Sequence, residues 1–305
     1  MKIVEVKNVS KQFGKLKAVN DISFSIEKGK VYGVLGPNGA GKTTTIRMIM
    51  NIIIPDSGEI NIMGESNLKK INHKIGYLPE ERGLYRKMKV NDVLLFLGEL
   101  KGMKGKSAQT EIDFWLDKLE LTEWKKKKVE ELSKGMQQKL QIIATIMPKP
   151  ELLILDEPFL GLDPINTQMI KDIIMEEKKR GTTIIFSTHQ MESAERLCDE
   201  IMLINKGQKI LSGTVSDVKS QFGSKYIQIA FTGDNSFLNE SQIIDHYTEF
   251  GNYVEIELKA GNDPQSLLES LISKIKISRF EVMEPSLHDI FINSVQGEDE
   301  LGRME

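Results

Sequence analysis

Two hydrophobic spacings alternate along the chain and divide it before any motif is considered. Ile3, Val4 and Val6, then Ile22, Phe24 and Ile26, are spaced as half-buried strands. The run VYGVLG that follows is continuously apolar and feeds a glycine-rich loop. A helix is predicted to begin near Lys42 and to end before Pro55. From about residue 85 to 148 the period turns helical, with Val93, Leu94, Leu97 and Leu100 on one face and Ile112, Trp115, Leu116 and Leu119 on another. Strand LLILD, a helix from Pro164 to Lys179, strand TTIIFST, a helix from Met191 to Leu197 and strand EIMLIN then alternate as parallel βαβ units do.

Beyond about Gly223 the pattern changes again. YIQIAF and YVEIEL set Ile227, Ile229 and Phe231, then Val254, Ile256 and Leu258, on alternating positions, PQSLLESLISKI is an amphipathic helix, and Ser286 with Asp289 forms a capping-box pattern opening a last helix with Leu287, Ile290 and Phe291. The expected organisation is an α/β domain over residues 1–222 with a helical insertion at 85–148, a small α+β domain over 223–297, and a flexible polar tail at 298–305.

Composition narrows the partners. Lys and Arg nearly balance Asp and Glu, leaving a net charge of -3, so no global basic field exists to hold nucleic acid, and none is expected as a partner. The basic block Lys125–Lys128 reads as a solvated face, with a phosphate or lipid contact as the alternative. The single cysteine, Cys198, cannot form an internal disulfide and fits a reducing compartment. The N-terminus lacks the apolar stretch of a signal peptide, and no segment approaches the length needed to span a bilayer, so any pore must come from another chain.

The chemistry begins at GPNGAGKTT, comprising Gly36, Pro37, Asn38, Gly39, Ala40, Gly41, Lys42, Thr43 and Thr44, between a predicted strand and helix. Three glycines let the backbone curl so that N–H groups converge on phosphate oxygens, and the helix N-terminus adds favourable dipole charge. Lys42 then reaches the β and γ phosphates of ATP, and Thr43 offers its hydroxyl to Mg²⁺. Alone, the string could be a glycine-rich turn. LLILDEP ends a buried run in Asp156 and Glu157, at the strand end where an α/β sheet places ligand chemistry. Asp156 suits the metal and Glu157 suits the general base for an attacking water, whereas a bare acidic pair could equally cap a helix.

These residues, with LSKGMQ at Leu132–Gln137, GLDP at Gly161–Pro164 and FSTHQ around His189, occur in the order found in ABC-transporter ATPases, and the chain resembles that family over residues 1 to about 220. The resemblance implies a P-loop cassette with a RecA-like core, an antiparallel β subdomain and a helical subdomain. It further implies that Phe13 stacks on adenine, that His189 contacts the γ-phosphate, and that Ser133 and Gly135 of one subunit, together with Asp163, complete the site on another. One copy of each motif therefore implies pairing, in the simplest case a homodimer with two equivalent sites. Taken alone, His189 could be structural and Asp163 a helix cap.

Lys134, Met136 and Glu80 depart from the common family pattern, Glu80 standing where a glutamine is usual. The segment EERGLYRKMKV and the ending EPSLHDIF resemble ATPases of ABC-2-type exporters, including the sodium-efflux group. That implies a separate integral-membrane permease, received by the helical region and the Glu80 loop, and a cassette held peripherally on the inner face of the cell membrane. Two rivals remain: an ABC ATPase acting on nucleic acid or ribosomes, and a non-catalytic nucleotide-binding regulator.

Overall fold

Buried parallel strands organise the N-terminal part of the chain. In the computed structural model, which describes residues 1–294 apart from 67, 82, 223–225, 260, 273 and 293, β3 (Val31–Leu35), β6 (Leu152–Asp156) and β7 (Thr183–Thr188) have every residue buried. This is why VYGVL, LLIL and IIF within them show no alternation, since a strand covered on both faces has no solvent side to alternate with. With β5 (Ile75–Leu78), β8 (Glu200–Asn205) and β9 (Gln208–Thr214) they form a six-stranded sheet of order β5-β6-β7-β3-β8-β9, parallel except for β9.

The register sets the site. Asp156 pairs with Ser187, and Leu35 with Thr188, so the strand ends carrying the two acids, the glycine loop and His189 finish on one edge of the sheet. The glycine loop leads from β3 into α1 (Lys42–Ile49). A three-stranded antiparallel sheet, β2 (Leu16–Glu27), β1 (Lys2–Phe13) and β4 (Ser57–Ile62), shares a core with α1 and the large sheet through Val4, Val19, Ile22, Ile46, Ile49 and Ile154.

The helical insertion contains α2 (Val90–Leu100), α3 (Gly105–Lys118) and α4 (Lys134–Ile146). Ile112, Trp115, Leu116 and Leu119 are buried as their spacing predicts. On α2 the predicted face divides: Val93 and Leu94 are buried, whereas Leu97 is half-buried and Leu100 is 65% exposed. The last turn of α2 has left the subdomain core, and these two leucines line a cleft instead. α5 (Pro164–Lys179) and α6 (Met191–Leu197) complete the α/β unit.

The chain divides into two compact units, residues 1–215 and 216–305. The division falls at the start of α7 (Val215–Phe222), whereas the sequence pattern places it after that helix. Lys219 of α7 lies 3.9 Å from Glu284, which ties the helix to the C-terminal unit. In that unit β10 (Tyr226–Thr232), β11 (Ile244–Phe250), β12 (Tyr253–Leu258) and β13 (Lys276–Met283) form an antiparallel sheet of order β11-β12-β10-β13, with short α8 (Phe237–Glu240) and α9 (Pro264–Ile272). Ile227, Ile229, Val254 and Ile256 meet Leu267 and Leu271 in a separate core. The Ser286–Asp289 cap forms, with the Asp289 N–H donating to Ser286 Oγ at 3.2 Å. The expected tail at 298–305 lies outside the described residues, as does Gly223.

Because each unit has its own core, a chain ended after Val215 is expected to remain soluble, to melt cooperatively and to bind nucleotide as the full chain does. Calorimetry and nucleotide titration on the truncated chain check this; aggregation with loss of binding would refute the division.

Candidate functional site

Glycine is required at the two ends of the loop. Gly36 has φ 149° and Gly41 φ 108°, and a Cβ at either would lie 2.1 Å from the Ile204 carbonyl oxygen or 2.4 Å from that of Ala18. The loop is braced from outside by the β8–β9 turn: the Gly207 N–H donates to the Ala40 carbonyl at 2.9 Å, and the Asn20 N–H to the Gly207 carbonyl at 2.8 Å. Within it, Pro37 and Thr44 are half-buried, Asn38 and Gly39 exposed, and Ala40 buried.

Lys42 is buried and held by its own loop. Its ammonium donates to the Gly36 carbonyl at 2.9 Å and the Pro37 carbonyl at 3.1 Å, and lies 3.4 Å from Glu157 Oε1. Two of the ammonium's three donors are thus spent on loop carbonyls. A buried pair such as Lys42–Glu157 is weak evidence for stability, because desolvating both charges offsets their attraction. Its significance is chemical, in bringing a cation beside Glu157.

Asp156 has no exposure and sits under two hydroxyls. Ser187 Oγ donates to its Oδ1 at 2.5 Å and Thr43 Oγ1 to the same oxygen at 3.1 Å. Burial raises its carboxyl above the ordinary range; the two hydrogen bonds oppose that, and the charges of Glu80 and Glu157 add to it. Oδ2 is buried with no partner among the described residues. Thr43 also lies 3.4 Å from Glu80 Oε2. An orphaned carboxylate oxygen, a threonine hydroxyl and a second carboxylate make a hard oxygen donor set of the kind Mg²⁺ takes. No three His, Cys, Asp or Glu side chains among the described residues could hold a metal by themselves, so the set fits an ion that also takes oxygens from phosphate.

Glu157 adopts a left-handed backbone, φ 49°, which costs a non-glycine residue about 1 kcal/mol or more. Its N–H donates to Ser187 Oγ at 3.0 Å, and both carboxylate oxygens lie 3.1 Å from His189 Nδ1. His189 is 41% exposed. If Nδ1 carries the proton for Glu157, Nε2 faces outward as an acceptor.

The structure thus brings the glycine loop, Lys42, Thr43, Glu80, Asp156, Glu157 and His189 together. The remaining predicted residues stand apart; among the described residues no hydrogen bond or ion pair joins them to this group. Phe13, at the end of β1, is 47% exposed with the Lys11 ammonium 5.6 Å from its ring. Ser133 caps α4, accepting the Met136 N–H at 3.3 Å, and Gly135 lies open beside Leu162. Asp163 caps α5 through the Asn166 N–H at 2.9 Å, and these hydrogen bonds hold its carboxyl below the ordinary range. Lys125, Lys127 and Lys128 each lie within an ion-pair distance of a carboxylate, which accounts for most of the basic block.

Some contacts were not anticipated. Arg47 of α1 pairs with Glu81 at 3.0 Å, Gln141 Nε2 of α4 donates to the Glu81 carbonyl at 3.2 Å, and Gln138 Nε2 to the Pro158 carbonyl at 3.4 Å. Helix α4 therefore touches the loops that follow both β5 and β6. Only aligning the strands in space reveals these contacts, since the partners are far apart in sequence.

Comparison with known proteins identifies the family. The family model described as ABC transporter matches residues 19–160, and that described as the C-terminal domain of ATP-binding protein DrrA1-3-like matches residues 213–295. The chain is 43% identical, over 96% of its length and 98% of the relative's, to an uncharacterized ABC transporter ATP-binding protein, YhaQ, of Bacillus subtilis. It belongs to the ABC transporter ATP-binding proteins. This ABC protein is also 33% identical to the Nod factor export ATP-binding protein I of Burkholderia lata, over 95% of both chains. A solved ATP-binding subunit of an ABC transporter superposes with TM-score 0.68 at 31% identity, covering 72% of this chain and 93% of the other. As a member of that family the cassette binds ATP and is an ATP hydrolase.

If Glu80 serves the metal, Glu80→Gln is expected to raise the Mg²⁺ concentration needed for half-maximal ATPase rate while leaving metal-free ATP affinity unchanged or improved, since one negative charge facing the phosphates is removed. Glu80→Ala should do more and also lower permease-stimulated turnover. Mg²⁺ titrations of both variants that overlay the parent would remove Glu80 from the site.

Proposed function

We infer that this ABC protein hydrolyses MgATP at two equivalent sites in a head-to-tail homodimer, and that closure of the dimer drives a separate membrane permease in export. The observation that carries the chemistry is the Asp156–Glu157–His189 group beside Lys42, at one edge of the sheet. In this reading the loop N–H groups and Lys42 hold the phosphates, exchanging the loop carbonyls for phosphate oxygens. Thr43, Asp156 and Glu80 hold Mg²⁺, which when bound neutralises charge on the phosphates. Glu157 takes a proton from the attacking water, and His189, anchored through Nδ1, presents Nε2 to the γ-phosphate. Phe13 stacks on adenine.

Pairing is supported by what the single chain leaves open. Among the described residues no hydrogen bond or ion pair joins Ser133, Gly135 or Asp163 to Asp156 or Glu157, and Leu160 and Ile165 flank Asp163 at 45% and 78% exposure. In the pair, the α4 N-terminus of one protomer faces the phosphates of the other, where its free N–H groups suit an anion.

For the permease, the supporting feature is a cleft of about 220 Å³ that includes Leu78, Pro79, Leu84, Leu97, Leu100 and Gln141. It is mostly apolar, and it joins the loop after β5 to α2 and α4. No helix among the described residues is long and apolar enough to cross a membrane. Association with the membrane at its cytoplasmic face thus comes through the partner. Export as the direction is supported by the Nod factor relative.

Glu157→Gln removes the base while keeping the shape, and is expected to lower the hydrolysis rate about 10²- to 10⁴-fold with ATP binding retained. ATP should then hold the variant as a dimer in light scattering. A native hydrolysis rate, or a monomer with MgATP at high protein concentration, would falsify the assignment.

A further inference from the structure

Ser187 is buried completely at the end of β7, next to Thr188 and two residues before His189. Its hydroxyl has a single proton and uses it on Asp156 Oδ1, at 2.5 Å, while an oxygen lone pair receives the Glu157 N–H at 3.0 Å. One atom therefore touches the side chain of the first acid and the backbone of the second. The parallel register makes this possible, because Asp156 is the cross-strand partner of Ser187.

We propose that Ser187 is a positioning residue for both acids, and that it acts through two separate bonds. This rests on the reading of Asp156 as a metal residue and Glu157 as the base. Toward Asp156, the donated hydrogen bond favours the ionised carboxylate, and it occupies Oδ1 so that Oδ2, which has no partner among the described residues, is the oxygen directed at a cation. Toward Glu157, the accepted bond holds the backbone at φ 49°, a conformation that a glutamate does not favour by itself. That conformation accompanies the 3.1 Å contact of the Glu157 carboxylate with His189 and its 3.4 Å approach to Lys42.

A filler at this position would need neither bond. A valine or alanine would continue the apolar run Ile184–Phe186, and the strand's other buried hydroxyls, Thr183 and Thr188, accept from the Gly29 and Gln190 N–H groups and touch neither acid by a hydrogen bond among the described residues. A hydroxyl in a dry strand end must find partners or cost stability, and both of those it finds belong to the acids.

The test compares Ser187→Ala, Ser187→Thr and Ser187→Cys in the full chain. Mg²⁺ is titrated by calorimetry into the complex with a non-hydrolysable ATP analogue, and the analogue is titrated separately without metal. Ser187→Ala is expected to weaken Mg²⁺ binding about tenfold, the scale of one lost charge-assisted hydrogen bond, and to lower kcat by at least as much, with metal-free analogue affinity and KM little changed. Ser187→Thr, which keeps the donor, should recover most of both losses. Ser187→Cys, which fills the space but donates weakly, should not, and it carries the test if the alanine variant does not fold. The proposal is overturned if Ser187→Ala lowers only the melting temperature and leaves Mg²⁺ affinity and kcat as in the parent. It is overturned equally if the cysteine variant matches the threonine one, or if metal-free nucleotide binding is lost in step with Mg²⁺ binding. A parent chain that hydrolyses ATP and is blocked by Glu157→Gln, yet is indifferent to Ser187, would remove this inference alone.

Discussion

A carboxylate with no exposure to water is tolerated only where something replaces the water, and Asp156 is that constraint here. Burial pushes its carboxyl upward, and two hydroxyls from different elements, Ser187 on β7 and Thr43 on α1, answer on one oxygen. For both to reach it, β6 and β7 must lie in parallel register and the glycine loop must deliver α1 with its first turn against the strand ends. The positive φ values of Gly36 and Gly41, the brace from Gly207 and the engagement of Lys42 all serve that delivery. The site is therefore a consequence of sheet register more than of any loop.

Much of this was legible in the chain. The glycine loop, the Asp156–Glu157 pair and His189 were identifiable because each ends or directly follows a strand whose buried residues show no alternation. The positions on α3 were legible for the same reason, since Ile112, Trp115, Leu116 and Leu119 repeat with the helix period and are buried accordingly. Leu97 and Leu100 were not. Periodicity marks an apolar row but does not say where one core ends and a cleft wall begins, and the row on α2 crosses that limit. The compact division at residue 215 and the change of pattern after about Gly223 differ by helix α7, whose Lys219 lies beside Glu284, a contact between residues far apart in the sequence.

Contacts between distant residues account for the rest. Ser187 reads in sequence as one of two hydroxyl residues ahead of a histidine, and only strand pairing puts it on Asp156. Arg47 and Glu81 likewise look like ordinary surface charges, yet they join α1 to the loop after β5, in which Glu80 faces Thr43. Asp163 illustrates the converse case. In a single chain it caps α5 through Asn166, so the local reading of that residue is complete without any partner, and a role toward a second chain has to be carried by the same carboxylate.

Helix α4 begins at the Ser133 cap, touches the Pro158 carbonyl through Gln138 and the Glu81 carbonyl through Gln141, and lines the cleft with Ala144 and Thr145. A helix of this kind is a rod about 20 Å long, and it bends little. Its two ends therefore have no independent freedom: whatever tilts it at the cleft also re-aims the cap, and the reverse. If, as proposed, the cleft receives a permease and the cap faces a second cassette, the one surface cannot drift in a lineage acquiring a new permease without disturbing the other. Compatible exchanges should then be found away from the rod, around Leu84 and Leu100 on the other walls of the cleft, while the rod itself stays as it is.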